Sequence, residues 1–319
     1  MRVAFIACGG TIAGHADATG RFSPSGGAAE LLQRAMLTPE VEVVAIDALS
    51  MPSRAMSPAD MLGLVAMVES LAATAPGIDG VVIAQGTDSL EETAYLFALT
   101  CAATVPVVLT GAMRPNVVPG SDGPANIAAA IAVATCAEAA ALGPLVVMGD
   151  EIHAARWVGK VHSTRPAAFA SPGFGPVGIV SEGRVRLWGP SWDGALGRPS
   201  ALPHRVELLV MGSGDDGWLA EAAGSYVDGL VIAGMGGGHV PPAAATVLVE
   251  LARRMPVVLA SRCTAGPVLT STYRGIGAES DLIAAGLLPV GNLQPLKARL
   301  RLMVGLGLGL APGKIFPVD

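Results

Sequence analysis

Apolar positions recur along the chain in two patterns. Short runs of branched and small apolar residues occupy Val3 to Ala7, Val41 to Ile46, Gly80 to Ala84, Val105 to Thr110 and Leu145 to Met148, and predict buried strands. Between them, apolar positions at helical spacing predict helices over Ala28 to Met36, Pro58 to Leu71, Ser89 to Ala102 and Pro124 to Ala141. Such alternation implies βαβ units, hence an α/β protein with a parallel sheet whose ligands bind beyond the carboxyl ends of the strands. From Trp188 to His204 the periodicity lapses into Gly, Pro and Ser turn formers, which predicts a linker. Strands at Val206 to Met211, Gly229 to Ala233 and Pro256 to Ala260 then resume, with helices at Pro241 to Arg254 and Gln294 to Leu306. The expected organisation is an N-terminal α/β domain at 1–187, a linker at 188–204 and a smaller α/β domain at 205–319.

Composition narrows the function classes. With 51% hydrophobic and 14% charged residues, a membrane protein must be considered. The richest apolar stretch, Ala125 to Met148, is broken by Asn126, Thr135, Glu138 and Gly143-Pro144, short of the about 20 continuous residues a spanning helix needs. The apolar excess is alanine, valine, leucine and 41 glycines, small side chains that let helices lie close over a buried sheet. A formal charge of -6 without clustered Lys/Arg argues against nucleic acid and for a small-molecule partner. Cys8, Cys101, Cys136 and Cys263 form no C-x-x-C pair, so buried free thiols are expected rather than a zinc site or disulfides. The N-terminus runs into its first strand too quickly for a secretory signal, and the cytoplasm is the expected location.

Candidate chemistry follows the strands. The first ends in Cys8-Gly9-Gly10-Thr11-Ile12-Ala13-Gly14, a glycine-rich turn that carries a hydroxyl to the sheet edge but lacks the spacing of a dinucleotide fingerprint. The strand at Gly80 to Ala84 ends in Gln85-Gly86-Thr87-Asp88-Ser89-Leu90-Glu91-Glu92, adding a second hydroxyl and a carboxylate. Helix capping accounts for part of this segment, with Asp88 or Ser89 as N-cap and Glu91 and Glu92 favourable in the first turn; the two readings coexist. Lys160 stands in the polar loop Trp157 to Thr164, where a solvated lysine is the ordinary explanation.

Taken together, Gly9-Gly10-Thr11, Gly86-Thr87-Asp88-Ser89-Leu90-Glu91-Glu92-Thr93-Ala94, Gly111-Ala112-Met113-Arg114-Pro115, Ser121-Asp122-Gly123, Lys160, Gly234 to His239, Ser261-Arg262, Gly266 and Lys297-Ala298-Arg299 resemble the bacterial-type L-asparaginases along nearly the whole chain. The resemblance implies a two-domain α/β fold with a smaller, flavodoxin-like C-terminal domain. It also implies a homotetramer built as a dimer of dimers with shared active sites, and no metal or cofactor. Residue by residue it makes Thr11 the nucleophile, and Thr87, Asp88 and Lys160 the cluster that relays protons, because a threonine hydroxyl attacks an amide only when its proton is taken. Backbone amides around Gly86 would hold the oxyanion, Ser53 the substrate's α-carboxylate and Asp88 its α-ammonium. The implied reaction is hydrolysis of L-asparagine to L-aspartate and ammonia, with glutaminase side activity. The alternatives are an amidase for another small amide or an ammonia-producing amidotransferase subunit, and a non-catalytic ligand-binding relative.

Departures from the pattern concern the pocket. Phe22 stands where a lid tyrosine is usual and has no hydroxyl to offer, so either His15, Ser23 or Ser25 substitutes for it or the lid works differently. Arg54 replaces a glutamine beside Ser53, and His239 and Tyr273 stand where a neighbouring subunit supplies an asparagine and a glutamate.

Overall fold

The five apolar runs of the first half form the parallel part of one sheet. A computed structural model describes the 319-residue chain except residues 17–21, 25, 36, 38–39, 74–76, 116, 193 and 318–319 and the side chains of residues 15–16 and 22–24. Strand β1 (Arg2–Ala7) leads to a ribbon of β2 (Gly14–Ala16) and β3 (Phe22–Pro24), then to β4 (Glu42–Asp47), β5 (Gly80–Ala84), β6 (Val107–Thr110) and β7 (Leu145–Met148). β4, β1, β5, β6 and β7 lie side by side and parallel in that order. Val3, Phe5 and Ala7 face a core with Leu31, Ile127 and Ile131, while Ala4 and Ile6 between them are equally buried, as strands covered on both faces require.

Helices α1 (Ala28–Arg34) and α4 (Gly123–Ala134) cover that core face, and α2 (Pro58–Ala73) packs on α3 (Leu90–Thr100). Helix and sheet approach closely: a methyl group at Gly80 would collide with the Ala134 carbonyl. α4 stops earlier than its alanine-rich sequence predicts. Thr135 bonds its hydroxyl back to the Ala132 carbonyl at 2.8 Å, Cys136 is extended, and Ala137–Leu142 forms a separate 3-10 turn. Alanine carries no periodicity, so the break is invisible in the apolar pattern.

The sheet is not wholly parallel. Beyond β7 it continues antiparallel through β8 (Glu151–Ala154), and, after a separate ribbon of β9 (Gly159–Lys160) and β10 (Phe169–Ala170), through β11 (Gly178–Ser181) and β12 (Arg184–Leu187). These edge strands are short and carry polar residues outward, so they lack the continuous apolar run by which the central strands are recognised. Chain order along the sheet reverses between β1 and β5: β1 connects outward to β4, and the next crossover returns past β1 to β5. In an open α/β sheet such a switch point leaves a crevice at the carboxyl ends of the two strands.

The chain divides into two units, Met1–Gly197 and Arg198–Asp319. In the second, β13 (Val206–Val210), α5 (Trp218–Ala223), β14 (Gly229–Gly234), α6 (Pro242–Ala252), β15 (Val257–Ser261), α7 (Glu279–Ala284), β16 (Leu288–Pro289), α8 (Pro295–Gly307) and α9 (Pro312–Ile315) follow one another. Its four strands are parallel and ordered as in the sequence, so the α/β layering of the flavodoxin-like expectation is present and its strand exchange is not. No helix among the described residues is long and apolar enough to cross a membrane.

Candidate active site

The register of β1 and β5 brings the two hydroxyl-bearing turns together. Ala7 pairs with Ala84, so Gly9-Gly10-Thr11 and Gln85-Gly86-Thr87-Asp88 leave the sheet side by side at the switch point. Gly10 has φ +84°, and a methyl group there would collide with the Gly86 backbone; a methyl on Gly86 would lie 2.6 Å from Ser53 Oγ. Thus Gly10, Gly86 and Ser53 stack with no room for a side chain between them, which is why both strand ends carry glycine. Gly111, at the end of β6, presses on Thr87 in the same way, with an added methyl meeting Thr87 Cγ2 at 3.1 Å. Thr11 opens a 3-10 turn and remains half-exposed.

Lys160 reaches this crevice from the β9–β10 ribbon. Its Nζ donates to Thr87 Oγ1 and to Asp88 Oδ1, both at 2.8 Å, with the lysine side chain only 16% exposed against 61% for Asp88. A solvated lysine is therefore not what the fold makes of this residue. Ser53 Oγ accepts the Asp88 amide at 3.1 Å, leaving its own proton available to a ligand. Ser89 stands at the head of α3, but its hydroxyl donates to the Ser53 carbonyl at 3.0 Å and does not cap the helix. Arg54 is exposed and has no hydrogen-bond or ion-pair partner among the described residues; the cation on Asp88 is Lys160. Phe22 pairs with Ala16 and Ser23 with His15 across the β2–β3 ribbon, but their side chains, and Ser25 altogether, lie outside the described residues.

Two features escaped the sequence reading. Glu91 Oε2 accepts the backbone N–H of Lys160 at 2.7 Å across 69 residues of sequence, so this carboxylate does more than complement a helix end. In the second unit, His239 and Tyr273 meet edge to face with ring centroids 5.1 Å apart, and a third residue joins them. Fully buried Glu279 bonds His239 Nε2 at 3.0 Å and accepts the Thr272 and Tyr273 amides at 2.8 Å each. Burial opposes its ionisation, but the hydrogen bonds from Tyr273, Thr272 and His239 outweigh it and hold the carboxyl below its ordinary range. The only signal for Glu279 in the sequence was an acid opening a helix after Gly277.

The cysteines are all free. Cys8 and Cys101 are buried, and burial pushes the Cys8 thiol up to about 12; Cys136 is half-buried and Cys263 exposed, so only two match the expected buried thiol. Among the described residues no group of three or more His, Cys, Asp or Glu is arranged to hold a metal ion.

Residues 2–192 match the family model described as "Asparaginase, N-terminal", and residues 205–316 match "Glutaminase/Asparaginase C-terminal domain". The chain belongs to the asparaginase family. It is 39% identical to a probable L-asparaginase of Deinococcus radiodurans over 97% of this chain and 94% of that one. To the glutaminase-asparaginase of Acinetobacter glutaminasificans it is 31% identical, over 95% and 94% of the two chains. Among solved structures, the probable cytoplasmic L-asparaginase of Campylobacter jejuni superposes with a TM-score of 0.86 at 33% identity, covering 98% of this chain and 97% of that one. The asparaginase resemblance read from the motifs and the two α/β domains are thereby borne out.

Proposed function

We propose that this protein hydrolyses L-asparagine to L-aspartate and ammonia, with L-glutamine as a secondary substrate, through an acyl-enzyme on Thr11. The observation that carries the reading is Lys160 Nζ at 2.8 Å from both Thr87 Oγ1 and Asp88 Oδ1, on a turn stacked against the one that bears Thr11. The names of the relatives support it. Thr11 Oγ1 attacks the side-chain amide carbon, its proton passes through the Thr87–Lys160 pair to the leaving nitrogen, and the C–N bond breaks to release ammonia. Water then attacks the Thr11 ester, the C–O bond breaks, and the hydroxyl regains its proton. Gly86 and Thr87 amides stabilise the oxyanion in both steps. Ser53 donates its free proton to the α-carboxylate, and the exposed carboxylate of Asp88 takes the α-ammonium. The reaction so written uses no metal or cofactor.

Arg54, an exposed cation next to Ser53, turns to the substrate carboxylate in this reading, since Asp88 already has Lys160. Ammonia release from asparagine, glutamine and succinamic acid, which lacks the amino group, tests both statements. Asparagine is expected to be the best of the three, with Arg54→Gln raising KM for asparagine about tenfold, the scale of one charge-assisted contact of ~1.4 kcal/mol. If Arg54→Gln improves asparagine and harms succinamic acid, Arg54 opposes an ammonium and the substrate is an amide without an α-amino group.

The His239–Tyr273–Glu279 cluster completes the site of a neighbouring copy in a tetramer of two dimers; the family's expected shared site and the exposure of Tyr273 support this. A monomer by sedimentation equilibrium at micromolar concentration with full activity would sink that statement. Free thiols and the Campylobacter jejuni relative described as a probable cytoplasmic L-asparaginase support a cytoplasmic location, checked by fractionating cells.

A further inference from the structure

We infer that Glu91 is the positioning residue for Lys160: by accepting the Lys160 backbone N–H, it fixes the strand from which the ammonium reaches Thr87. The inference rests on the hydrolytic reading above. β9 and β10 are two residues long each and belong to neither large sheet, so the ribbon has little ladder of its own to hold Lys160 in place. Two side chains hold it from outside. On the β10 side, buried His153 bonds Ser171 Oγ at 3.0 Å, directly after the strand. On the β9 side the contact falls on Lys160 itself, where Glu91 Oε2 lies 2.7 Å from the amide nitrogen.

Glu91 is also well placed to set the register between lysine and hydroxyl. It lies in the first turn of α3, three residues after Asp88 and four after Thr87. One rigid segment therefore carries both acceptors of the Lys160 ammonium and the acceptor of its backbone amide. The three contacts, at 2.7, 2.8 and 2.8 Å, clamp a single residue at both ends of its side chain. A lysine has four rotatable side-chain bonds, and without the backbone contact its head could reach Asp88 from many strand positions that miss Thr87. A displacement on the order of 1 Å costs about a hundredfold in a proton-transfer geometry.

Glu91→Ala is expected to lower kcat on asparagine by about 10- to 100-fold with KM within about twofold of wild type, while Glu91→Gln, which keeps a carbonyl acceptor, stays within about threefold. In a Lys160→Met background Glu91→Ala is expected to cost nothing more, because the residue acts through the lysine. A loss appearing in KM, a Gln variant as impaired as Ala, or a full additional loss beside Lys160→Met would each overturn the inference. Crystal structures test the placement without turnover: in Glu91→Ala, Lys160 Nζ is expected to leave hydrogen-bond distance of Thr87 Oγ1, and its remaining there overturns the inference whatever the substrate is. Absence of ammonia release by the wild-type protein would instead count against the hydrolytic reading.

Discussion

Thr11→Val is expected to reduce asparagine turnover at least a thousandfold while leaving the melting temperature within a few degrees of wild type. Valine keeps the β-branched shape, so the 3-10 turn at Thr11–Ala13 and the contact of Gly10 with Gly86 are undisturbed. What disappears is the oxygen that forms the ester in the proposed reaction, and no other hydroxyl is carried by that turn. Three decades correspond to ~4 kcal/mol of barrier, within what removal of a nucleophile costs when binding and oxyanion donors remain. Ammonia release under saturating asparagine and a thermal melt measure the two quantities. A variant with more than about a tenth of wild-type turnover, a barrier change of less than ~1.4 kcal/mol, would take the nucleophile assignment away from Thr11.

How much of this was legible in the sequence depends on how far apart the interacting residues lie. β5 and β7 are found to the residue, because each is a fully buried apolar run closed by a glycine or a polar turn. The edge strands β8, β11 and β12 are not, since they are only four residues long and mix exposed polar with apolar positions, and the two-residue strand that carries Lys160 has no pattern at all. At the site, strand ends in an α/β sheet mark the ligand side and so single out the turns of Thr11, Thr87 and Asp88, while their roles come from the asparaginase resemblance. Lys160 and Ser53 could be named only through that resemblance, and Glu91 as a partner of Lys160 not at all. Glu91 has the sequence signature of an ordinary helix start, and only the fold reveals that its carboxylate meets an amide 69 residues away. Ser89 shows the converse error: the helix boundary is right, yet the hydroxyl goes to Ser53 and not to the helix amides. Glu279 was missed for the same reason as Glu91, although it bonds His239 and the Tyr273 amide, the two residues read as standing in the places of an asparagine and a glutamate.

Lys160→Met is expected to lower kcat by about a thousandfold and to change KM for asparagine less than threefold. The methionine fills much of the same volume, so the mostly buried stem keeps its packing, and the backbone N–H still reaches Glu91. What is lost is the ammonium that bonds Thr87 Oγ1 and Asp88 and that, in the proposed reaction, exchanges a proton with the threonine. General acid–base groups contribute about 10² to 10⁴ in rate, and in the proposed reaction this one serves both the acylation and the deacylation step. Binding is expected to be affected little, because in the proposed site Ser53 and Arg54 hold the carboxylate end and Asp88, freed of its lysine, remains an anion for the ammonium. Steady-state kinetics separate the two effects directly: a fall in kcat at nearly constant KM means that an interaction made only in the transition state has gone. Should KM rise tenfold with kcat preserved, Lys160 would be a binding residue, and the proton from Thr11 would have to leave by a route that bypasses Lys160.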